Sequence, residues 1–209
     1  MAQSKAFYAF GRAVCMPIFK LLYRYKVVNK SNIPDDGKGY IVACNHLSFS
    51  DPVLLGLGQK RRLNFMAKDE LFENKFFAFI IRHLGAFPVK RGAGDGKAIK
   101  NGEDIILEGG LMGIFIEGGR SKTGELMRPR SGCALIAQQT GVSVVPACIT
   151  NVGKSKKFGK RIIHFSEPLT TEDMGLTSTD RRALKTASTT IMNKIKEMRE
   201  QDLNEYKRS

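Results

Sequence analysis

Short apolar segments alternate with longer amphipathic segments along most of this 209-residue chain. An apolar run of about four to eight residues between turn-forming residues is typical of a buried strand, whereas apolar positions three or four apart predict a helix. We predict strands at Tyr40–Cys44, Leu63–Ala67, Ala86–Val89, Leu111–Ile116, Val142–Ile149 and Arg161–Phe165. Helices are predicted to start at Asp51 and to cover Lys75–His83, Lys97–Glu108, Cys133–Thr140 and residues 178–204.

The regular alternation of strands and helices favours an α/β fold. We predict one domain over residues 31–209, with a mixed, largely parallel sheet flanked by helices, because no repeat or linker divides this part of the chain. In such sheets, binding and catalytic residues gather in the loops that leave the carboxyl ends of the strands. The polar loops after the predicted strands are therefore the candidate sites.

The first 30 residues have a different pattern, which predicts an N-terminal amphipathic helical arm. Apolar side chains at helical spacing form one stripe from Phe7 to Tyr25, and Pro17 predicts a kink or a division into two short helices. Basic side chains fall towards the other side: Lys5, Arg12, Lys20 and Arg24. Such a helix suits the surface of an anionic membrane, and ordinary packing against the domain is an equal alternative.

The charge balance predicts an anionic partner. Lys and Arg number 34 and Asp and Glu number 20, for a net charge of +14, which suits a nucleic acid, an anionic membrane or a phosphate-bearing small molecule. No apolar run approaches the roughly 20 residues of a membrane-spanning helix. The four cysteines form no C-x-x-C pair, so we predict a reducing environment and no metal site.

The first candidate site is the polar loop after the predicted strand Tyr40–Cys44. It contains His46 and, five residues on, Asp51 at the predicted start of a helix. Across a strand–turn–helix corner the two side chains can meet, and a carboxylate beside an imidazole fixes its tautomer and stabilises the imidazolium form. The pair would then be a general base for a hydroxyl group. Taken alone, the loop favours the alternative that Asp51 caps the helix and His46 is a satisfied loop histidine.

The second candidate site is the glycine-rich loop after the predicted strand that ends at residue 116. Gly118 and Gly119 allow backbone N–H groups to approach an anion closely. Arg120 has a planar guanidinium suited to phosphate oxygens, and Ser121 adds a hydroxyl group. Glu117 would orient the arginine or accept from a substrate hydroxyl. A solvated surface turn is an equal alternative for this loop alone.

A third basic loop, with Lys90 and Arg91, follows the predicted strand Ala86–Val89. A solvated charge pair is the stronger interpretation of this loop by itself. The basic composition also allows a nucleic-acid-binding module, which would interleave aromatic stacking residues with Arg and Lys on a sheet face. Here the aromatic residues lie in apolar runs or on the arm, so we predict no nucleic-acid partner.

Five sequence blocks, in this order, resemble the PlsC-type glycerolipid acyltransferase family. They are Asn45-His46 with Asp51 (N-H-x-x-x-x-D), Phe65–Phe72, Gly85–Gly92, Phe115–Ser121 (close to F-P-E-G-T-R-S) and Val145-Pro146-Ala147. Ile116 stands where the family usually has proline, and Gly119 where it has threonine. The blocks span roughly residues 40–150, and five matches in order are far more specific than any one of them.

The resemblance implies transfer of a fatty acyl group from acyl-CoA or acyl-carrier-protein to the free hydroxyl of lysophosphatidic acid, which gives phosphatidic acid. Another acceptor, such as glycerol-3-phosphate or a different lysolipid, is the alternative within the family. No cofactor is implied beyond the acyl donor. Because acceptor and product are lipids, we expect contact with an anionic membrane at its cytoplasmic face, peripheral or monotopic, through the arm.

The resemblance also implies roles for the candidate residues. His46, held by Asp51, would remove the proton from the acceptor hydroxyl. The loop Glu117–Ser121, together with Lys90 and Arg91, would bind the acceptor's phosphate. An oxyanion donor is required as well; a backbone N–H near Val145–Ala147 is one candidate.

Overall fold

The structure, a computed structural model, describes residues 5–89, 96–153 and 159–208, and these contain one seven-stranded sheet flanked by α-helices. The strands are β1 (Lys26–Val28), β2 (Tyr40–Cys44), β3 (Leu63–Lys68), β4 (Ala86–Val89), β5 (Leu111–Phe115), β6 (Val144–Asn151) and β7 (Arg161–Phe165). The helices are α1 (Lys5–Tyr23), α2 (Asp51–Leu57), α3 (Lys75–His83), α4 (Gly96–Leu107), α5 (Gly132–Thr140) and α6 (Arg181–Arg208). Two short 3₁₀ turns lie at Lys30–Asn32 and Asp69–Phe72.

The strands are ordered β1-β7-β6-β2-β5-β3-β4 across the sheet. Strands β2 to β6 are parallel to one another. Strand β7 is antiparallel to β6, and the edge strand β1 is parallel to β7. The predicted α/β class with a mixed, largely parallel sheet is therefore confirmed. The edge strand β1 was not predicted, because three residues are too few for a periodicity to show.

The two faces of the sheet bury separate apolar clusters. In β2 the side chains alternate between them, as a pleated strand requires: Ile41 and Ala43 join the cluster covered by α4, α5 and α6. Val42 and Cys44 join the opposite cluster, which contains Leu54 and Leu55 of α2 and Tyr23 at the end of α1. Helices on both faces explain why the central strands are apolar along their whole length.

Helix α1 is continuous through Pro17, so the arm is not divided into two helices. The guanidinium of Arg12 donates to the carbonyl oxygen of Gly56, which ties α1 to α2. Most of the apolar stripe is exposed, with Phe10 at 68% and Leu21 at 81% relative exposure. None of the described helices combines the length and apolar character needed to cross a membrane. That residues 1–30 act as a membrane-contacting arm stays a prediction.

The register of β2 and β5 determines where the two candidate loops meet. These strands are parallel neighbours, and Cys44 at the end of β2 lies opposite Phe115 at the end of β5. The chain leaves both strands at the same edge of the sheet. His46 and Glu117, each two residues beyond its strand, are consequently brought side by side.

Candidate active site

The centre of the site is a contact between His46 and Asp51. The imidazole Nδ1 lies 2.8 Å from the Asp51 carboxylate oxygen Oδ2. Asp51 is fully buried and His46 is 9% exposed. Because a carboxylate can only accept, Nδ1 carries the hydrogen and donates it, and Nε2 keeps the lone pair. The encounter expected from the sequence is therefore present, in the tautomer that a general base at Nε2 needs.

Three further hydrogen bonds hold the Asp51 carboxylate. Its Oδ2 accepts from the backbone N–H groups of Leu47, at 2.6 Å, and Ser48, at 2.7 Å. Its Oδ1 accepts from the hydroxyl of Ser48 at 2.9 Å. The expectation that Asp51 is the N-cap of α2 is wrong, since Ser50 occupies that position and Asp51 is the first helical residue. Its carboxylate points back to the preceding loop and not along the helix.

The imidazole of His46 also lies flat against Phe115, with ring centroids 4.0 Å apart and planes 16° from parallel. Phe65 of β3 stacks on the same phenyl ring at 5.7 Å. The ring contact fixes the plane of the imidazole, while the Asp51 contact fixes its rotation within that plane. Phe115 belongs to a recognised block but had no predicted role, since the apolar end of a strand gives no sign of a ring contact.

Asn45 joins the end of β2 to β6 through its side chain. Its Nδ2 donates to the carbonyl oxygen of Ile149 at 3.1 Å, and its Oδ1 accepts from the N–H of Ile149 at 2.8 Å. The side-chain amide thus continues the pairing of β2 with β6 past the last backbone pair, Cys44 with Ala147. The sequence singled out Asn45 without a role, and the structure shows that it fixes the chain next to His46.

The second loop holds the backbone of His46 on both sides. Glu117 Oε1 accepts from the N–H of His46 at 3.4 Å, and the N–H of Ser121 donates to the carbonyl oxygen of His46 at 2.8 Å. Within the described residues Glu117 has no bond to Arg120, so the contact expected between those two side chains is replaced by one to the histidine backbone. The hydroxyl of Ser121 accepts from the N–H of Gly124 at 3.1 Å.

Glu117 is buried, at 4% exposure. Burial raises the pKa of its carboxyl to about 7, with the negative charge of Asp51 adding to the effect. The N–H groups of His46 and Met127 and the cation of Arg199 lower the pKa only in part. A carboxyl group with this pKa is partly protonated near neutral pH. Its oxygen Oε2 has no hydrogen-bond partner in the described part of the chain.

The two glycines of this loop differ in what they supply. Gly118 has a φ of +71°, which a residue with a Cβ rarely adopts. Its N–H donates to the carbonyl oxygen of Phe115 at 2.9 Å and closes a turn. This N–H is therefore not available for the anion contact that the sequence suggested. At Gly119 nothing lies within 4 Å of the place where a Cβ would be, which leaves open space beside Arg120.

Arg120 is exposed and stacks on Phe49 of the first loop. The guanidinium carbon lies 3.4 Å from the centroid of the phenyl ring, and Phe49 is 75% exposed. Phe49 was missed in the sequence, where a single aromatic residue inside a polar loop was the available signal. The contact brings the predicted phosphate-binding cation next to the loop of His46.

The remaining predicted residues do not join this group. Lys90 and Arg91 lie outside the described residues. Val145, Pro146 and Ala147 are buried inside β6, which pairs with β2 on one side and with β7 on the other. Their position in the centre of the sheet gives no support to an oxyanion donor from this segment.

The chemistry available at the site is acid–base rather than thiol chemistry. Cys44, two residues before His46, is fully buried, and burial raises the pKa of its thiol well above the usual range. Burial likewise raises the pKa of Cys133 and of Cys148 to about 12. These three thiols are therefore protonated at neutral pH and are not nucleophiles. In the described ranges, no three His, Cys, Asp or Glu side chains are grouped to hold a metal ion.

Comparisons with known proteins agree with this geometry. A sequence model of the family described as Acyltransferase matches residues 24–150. The 1-acyl-sn-glycerol-3-phosphate acyltransferase of Bacillus subtilis (strain 168) is 33% identical over 196 residues, which cover 91% of this chain and 96% of that protein. The protein of the same description from Streptococcus pneumoniae (strain ATCC BAA-255 / R6) is 32% identical over 123 residues, 58% of this chain and 46% of its own.

Among solved structures, the 1-acyl-sn-glycerophosphate (LPA) acyltransferase PlsC from Thermotoga maritima aligns with a TM-score of 0.72 at 25% identity. The alignment covers 94% of this chain and 78% of the other. Since the family match spans more than half of the sequence, the chain belongs to the acyltransferase family. Within it, the chain groups with the PlsC-type 1-acyl-sn-glycerol-3-phosphate acyltransferases, which confirms the resemblance found in the sequence.

Proposed function

We propose that the protein transfers a fatty acyl group from a thioester donor, acyl-CoA or acyl-carrier-protein, to the free hydroxyl of lysophosphatidic acid. The observation that carries this proposal is the contact of His46 with Asp51, beside a loop that presents the cation of Arg120. A base for a hydroxyl and a cation for a phosphate are the two groups that such an acceptor requires. The substrate named for the Bacillus subtilis relative is the same class of lipid.

In the proposed mechanism, Nε2 of His46 takes the hydroxyl proton as the acceptor oxygen attacks the thioester carbonyl. The new C–O bond forms, and the negative charge of Asp51 stabilises the imidazolium. Collapse of the tetrahedral intermediate breaks the C–S bond, and the imidazolium returns its proton to the departing thiolate. No covalent intermediate on the protein is needed. Histidine in a fixed orientation contributes through both proton transfer and positioning of the acceptor.

We further propose that α1 brings the protein to the cytoplasmic face of an anionic membrane as a peripheral or monotopic contact. Its exposed apolar residues follow one another at helical spacing on one face: Phe10, Val14, Ile18 and Leu21. An exposed apolar stripe of this length is unfavourable in water and favourable at a lipid interface. The net charge of +14 adds attraction to anionic headgroups.

The catalytic proposal is tested by assaying acyl transfer to lysophosphatidic acid with acyl-CoA and acyl-carrier-protein in parallel. We expect His46→Ala to lower kcat by about 10²–10⁴-fold, the range of general-base contributions, while the protein stays folded. His83→Ala is the matched control, because among the described residues the ring of His83 hydrogen-bonds to the carbonyl oxygen of Phe79 and contacts the rings of Phe7 and Phe79, away from His46. Near-normal turnover by His46→Ala would exclude this mechanism.

Acceptor identity is tested with a panel that contains lysophosphatidic acid, glycerol-3-phosphate and an uncharged monoacylglycerol. We expect Arg120→Ala to raise KM for phosphorylated acceptors and to leave KM for monoacylglycerol unchanged. Arg128→Ala, another exposed arginine of the same segment, controls for the loss of one positive charge. A preference of the wild type for glycerol-3-phosphate would move the proposal to that acceptor, and a preference for monoacylglycerol would contradict the role proposed for Arg120.

Membrane contact is tested by co-sedimentation with vesicles that contain phosphatidylglycerol. Each apolar side chain transferred into the interface contributes about 1.5–3 kcal/mol when fully buried. We therefore expect Phe10→Ser with Leu21→Ser to weaken binding at least tenfold, roughly the effect of 1.4 kcal/mol. Leu107→Ser is the control. Leu107 is about as exposed as Phe10 and Leu21, but it lies at the end of α4, which covers the opposite face of the sheet from α1. Equal binding of the wild type, the double variant and Leu107→Ser would contradict the proposal.

A further inference from the structure

The stacked pair of Phe49 and Arg120 bridges the two loops of the site. The guanidinium carbon is 3.4 Å from the ring centroid, which is van der Waals contact. Among the residues that the structure describes, the Arg120 guanidinium contacts this ring and makes no hydrogen bond or ion pair. Phe49, for its part, is 75% exposed and packs against no core cluster. Burial therefore does not explain the position of the ring.

A guanidinium has two distinct surfaces, and the ring occupies only one of them. Stacking uses the flat face, where the charge is attracted to the π electrons. The N–H groups lie in the plane and point outwards from the edge, where they match two phosphate oxygens at once. An arginine held by its face is thus aligned with its donors free.

The residues next to Phe49 and Arg120 in the chain are hydrogen-bonded to the pair of His46 and Asp51. Phe49 follows Ser48, whose N–H and hydroxyl both donate to the Asp51 carboxylate. Arg120 precedes Ser121, whose N–H donates to the carbonyl oxygen of His46. Stacking between Phe49 and Arg120 closes this arrangement and restrains a side chain that is otherwise rich in rotamers.

We propose that Phe49 is a positioning residue, which holds the Arg120 guanidinium edge-on towards the phosphate of the acceptor. The identity of the acceptor rests on the proposed function above, whereas the stack itself does not. By restraining Arg120 before the lipid arrives, Phe49 lowers the ordering that binding requires. Phe49 thereby contributes to the preference for phosphorylated over uncharged acceptors.

The kinetic test compares Phe49→Leu, which keeps an apolar side chain without π electrons, with Phe49→Tyr, which keeps the ring. A cation–π contact at an exposed site corresponds to about a two- to fivefold change in an equilibrium constant. We expect Phe49→Leu to raise KM for lysophosphatidic acid by that factor, with a much smaller change in kcat, and Phe49→Tyr to restore it. Phe76→Leu, which removes an equally exposed ring on α3, is the control.

Coupling to the arginine provides a stricter criterion. In an Arg120→Ala background, Phe49→Leu should raise KM no further, because the group that the ring holds is gone. An unchanged KM for Phe49→Leu, or an equal effect with and without Arg120, would overturn the proposal. A similar rise in KM for monoacylglycerol would also do so, since the role assigned to Phe49 acts through the phosphate.

A binding measurement separates this inference from the proposed function. In the free protein, the Nε–H resonance of Arg120 should be shifted upfield by the Phe49 ring current, and Phe49→Leu should remove that shift. Titration with glycerol-3-phosphate should move the same resonance, with about two- to fivefold weaker affinity in Phe49→Leu. A wild type that shows this behaviour without acylating lysophosphatidic acid would refute the proposed function and uphold the positioning role. Absence of the ring-current shift would refute the role of Phe49.

Discussion

Replacing Asp51 with asparagine tests how the carboxylate acts on His46. In the Ser-His-Asp triad, asparagine in place of the aspartate reverses the imidazole tautomer, because its NH₂ group donates to Nδ1 and places the hydrogen on Nε2. Nε2 can then no longer accept a proton, and kcat falls by about 10⁴-fold in a serine protease with this replacement. Whether this happens depends on which way the amide is turned.

The hydrogen bonds around Asp51 favour the orientation that preserves the tautomer. Oδ2 receives three N–H donors, from His46, Leu47 and Ser48. An amide nitrogen at this position would face two backbone donors that cannot change to acceptors. The amide oxygen therefore takes the Oδ2 position, and the NH₂ group faces the Ser48 hydroxyl, which can rotate to accept.

The expected loss in Asp51→Asn is then limited to the missing negative charge. Unit charges about 4 Å apart interact with about 3 kcal/mol at an effective dielectric of about 25. We therefore expect kcat to fall by about 10²–10³-fold, with KM for the acceptor little changed. Asp51→Ala leaves the same donors without any acceptor, and it should cost more in both activity and stability.

The assay combines steady-state kinetics on lysophosphatidic acid with ¹⁵N spectra of the imidazole nitrogens. We expect the hydrogen of neutral His46 to remain on Nδ1 in Asp51→Asn. Loss of activity to the level of His46→Ala, together with a spectrum showing hydrogen on Nε2, would refute the reasoning. Activity within tenfold of the wild type would show instead that the charge of Asp51 is not needed.

Two further changes test the buried charges. The pKa of Glu117 is raised from 4.5 to about 7 in the folded protein. Between these two pH values the folded state keeps a proton that the unfolded chain loses. The free energy of unfolding should therefore fall as the pH rises from 4.5 to above 7. With solvent screening allowed for, the free energy of unfolding of the wild type should fall by about 2 kcal/mol between pH 4.5 and 8 relative to that of Glu117→Gln, as measured by urea unfolding. A difference between the two proteins that does not change with pH would contradict this. Asp202 accepts from His164 at 2.9 Å and from Thr150 at 2.6 Å while buried. Asp202→Leu should therefore lower the free energy of unfolding by about 3 kcal/mol, with KM unaffected, and a loss below 1 kcal/mol would indicate that water replaces the carboxylate.

Much of the fold was predictable from the sequence because most of its strands are continuous apolar runs. Tyr40–Cys44, a parallel strand covered on both faces, was predicted with the bounds observed. The bounds were also correct for the half-buried edge strand Ala86–Val89 and for Arg161–Phe165, which is antiparallel to β6. The strand β1 was not predictable, since Lys26–Val28 gains its structure from pairing with β7 rather than from its own pattern. Helix α6 was predicted from residue 178 and begins at Arg181. The Asp180 carboxylate precedes it and accepts from the N–H groups of Arg182 and Ala183 in its first turn.

The contact of His46 with Asp51 was predictable from spacing, whereas the contacts that support it were not. His46 and Asp51 stand on one loop, and a short strand–turn–helix corner leaves few ways for them to lie apart. The contacts of Glu117 with His46 and of Asn45 with Ile149 span 71 and 104 residues. Such contacts depend on strand order and register, and no local pattern reports them.

The site therefore consists of one part fixed by the fold and another part that can adjust. His46 is restrained at its backbone N–H by Glu117, at its carbonyl oxygen by Ser121, at Nδ1 by Asp51 and across its ring face by Phe115. Preorganisation of this kind leaves little reorganisation for the proposed proton transfer. Arg120 is exposed and restrained by a ring contact, so changes around it can alter the acceptor without disturbing the base. This separation predicts that substitutions at Arg120 change KM for the acceptor and leave the proposed proton transfer at His46 unaffected.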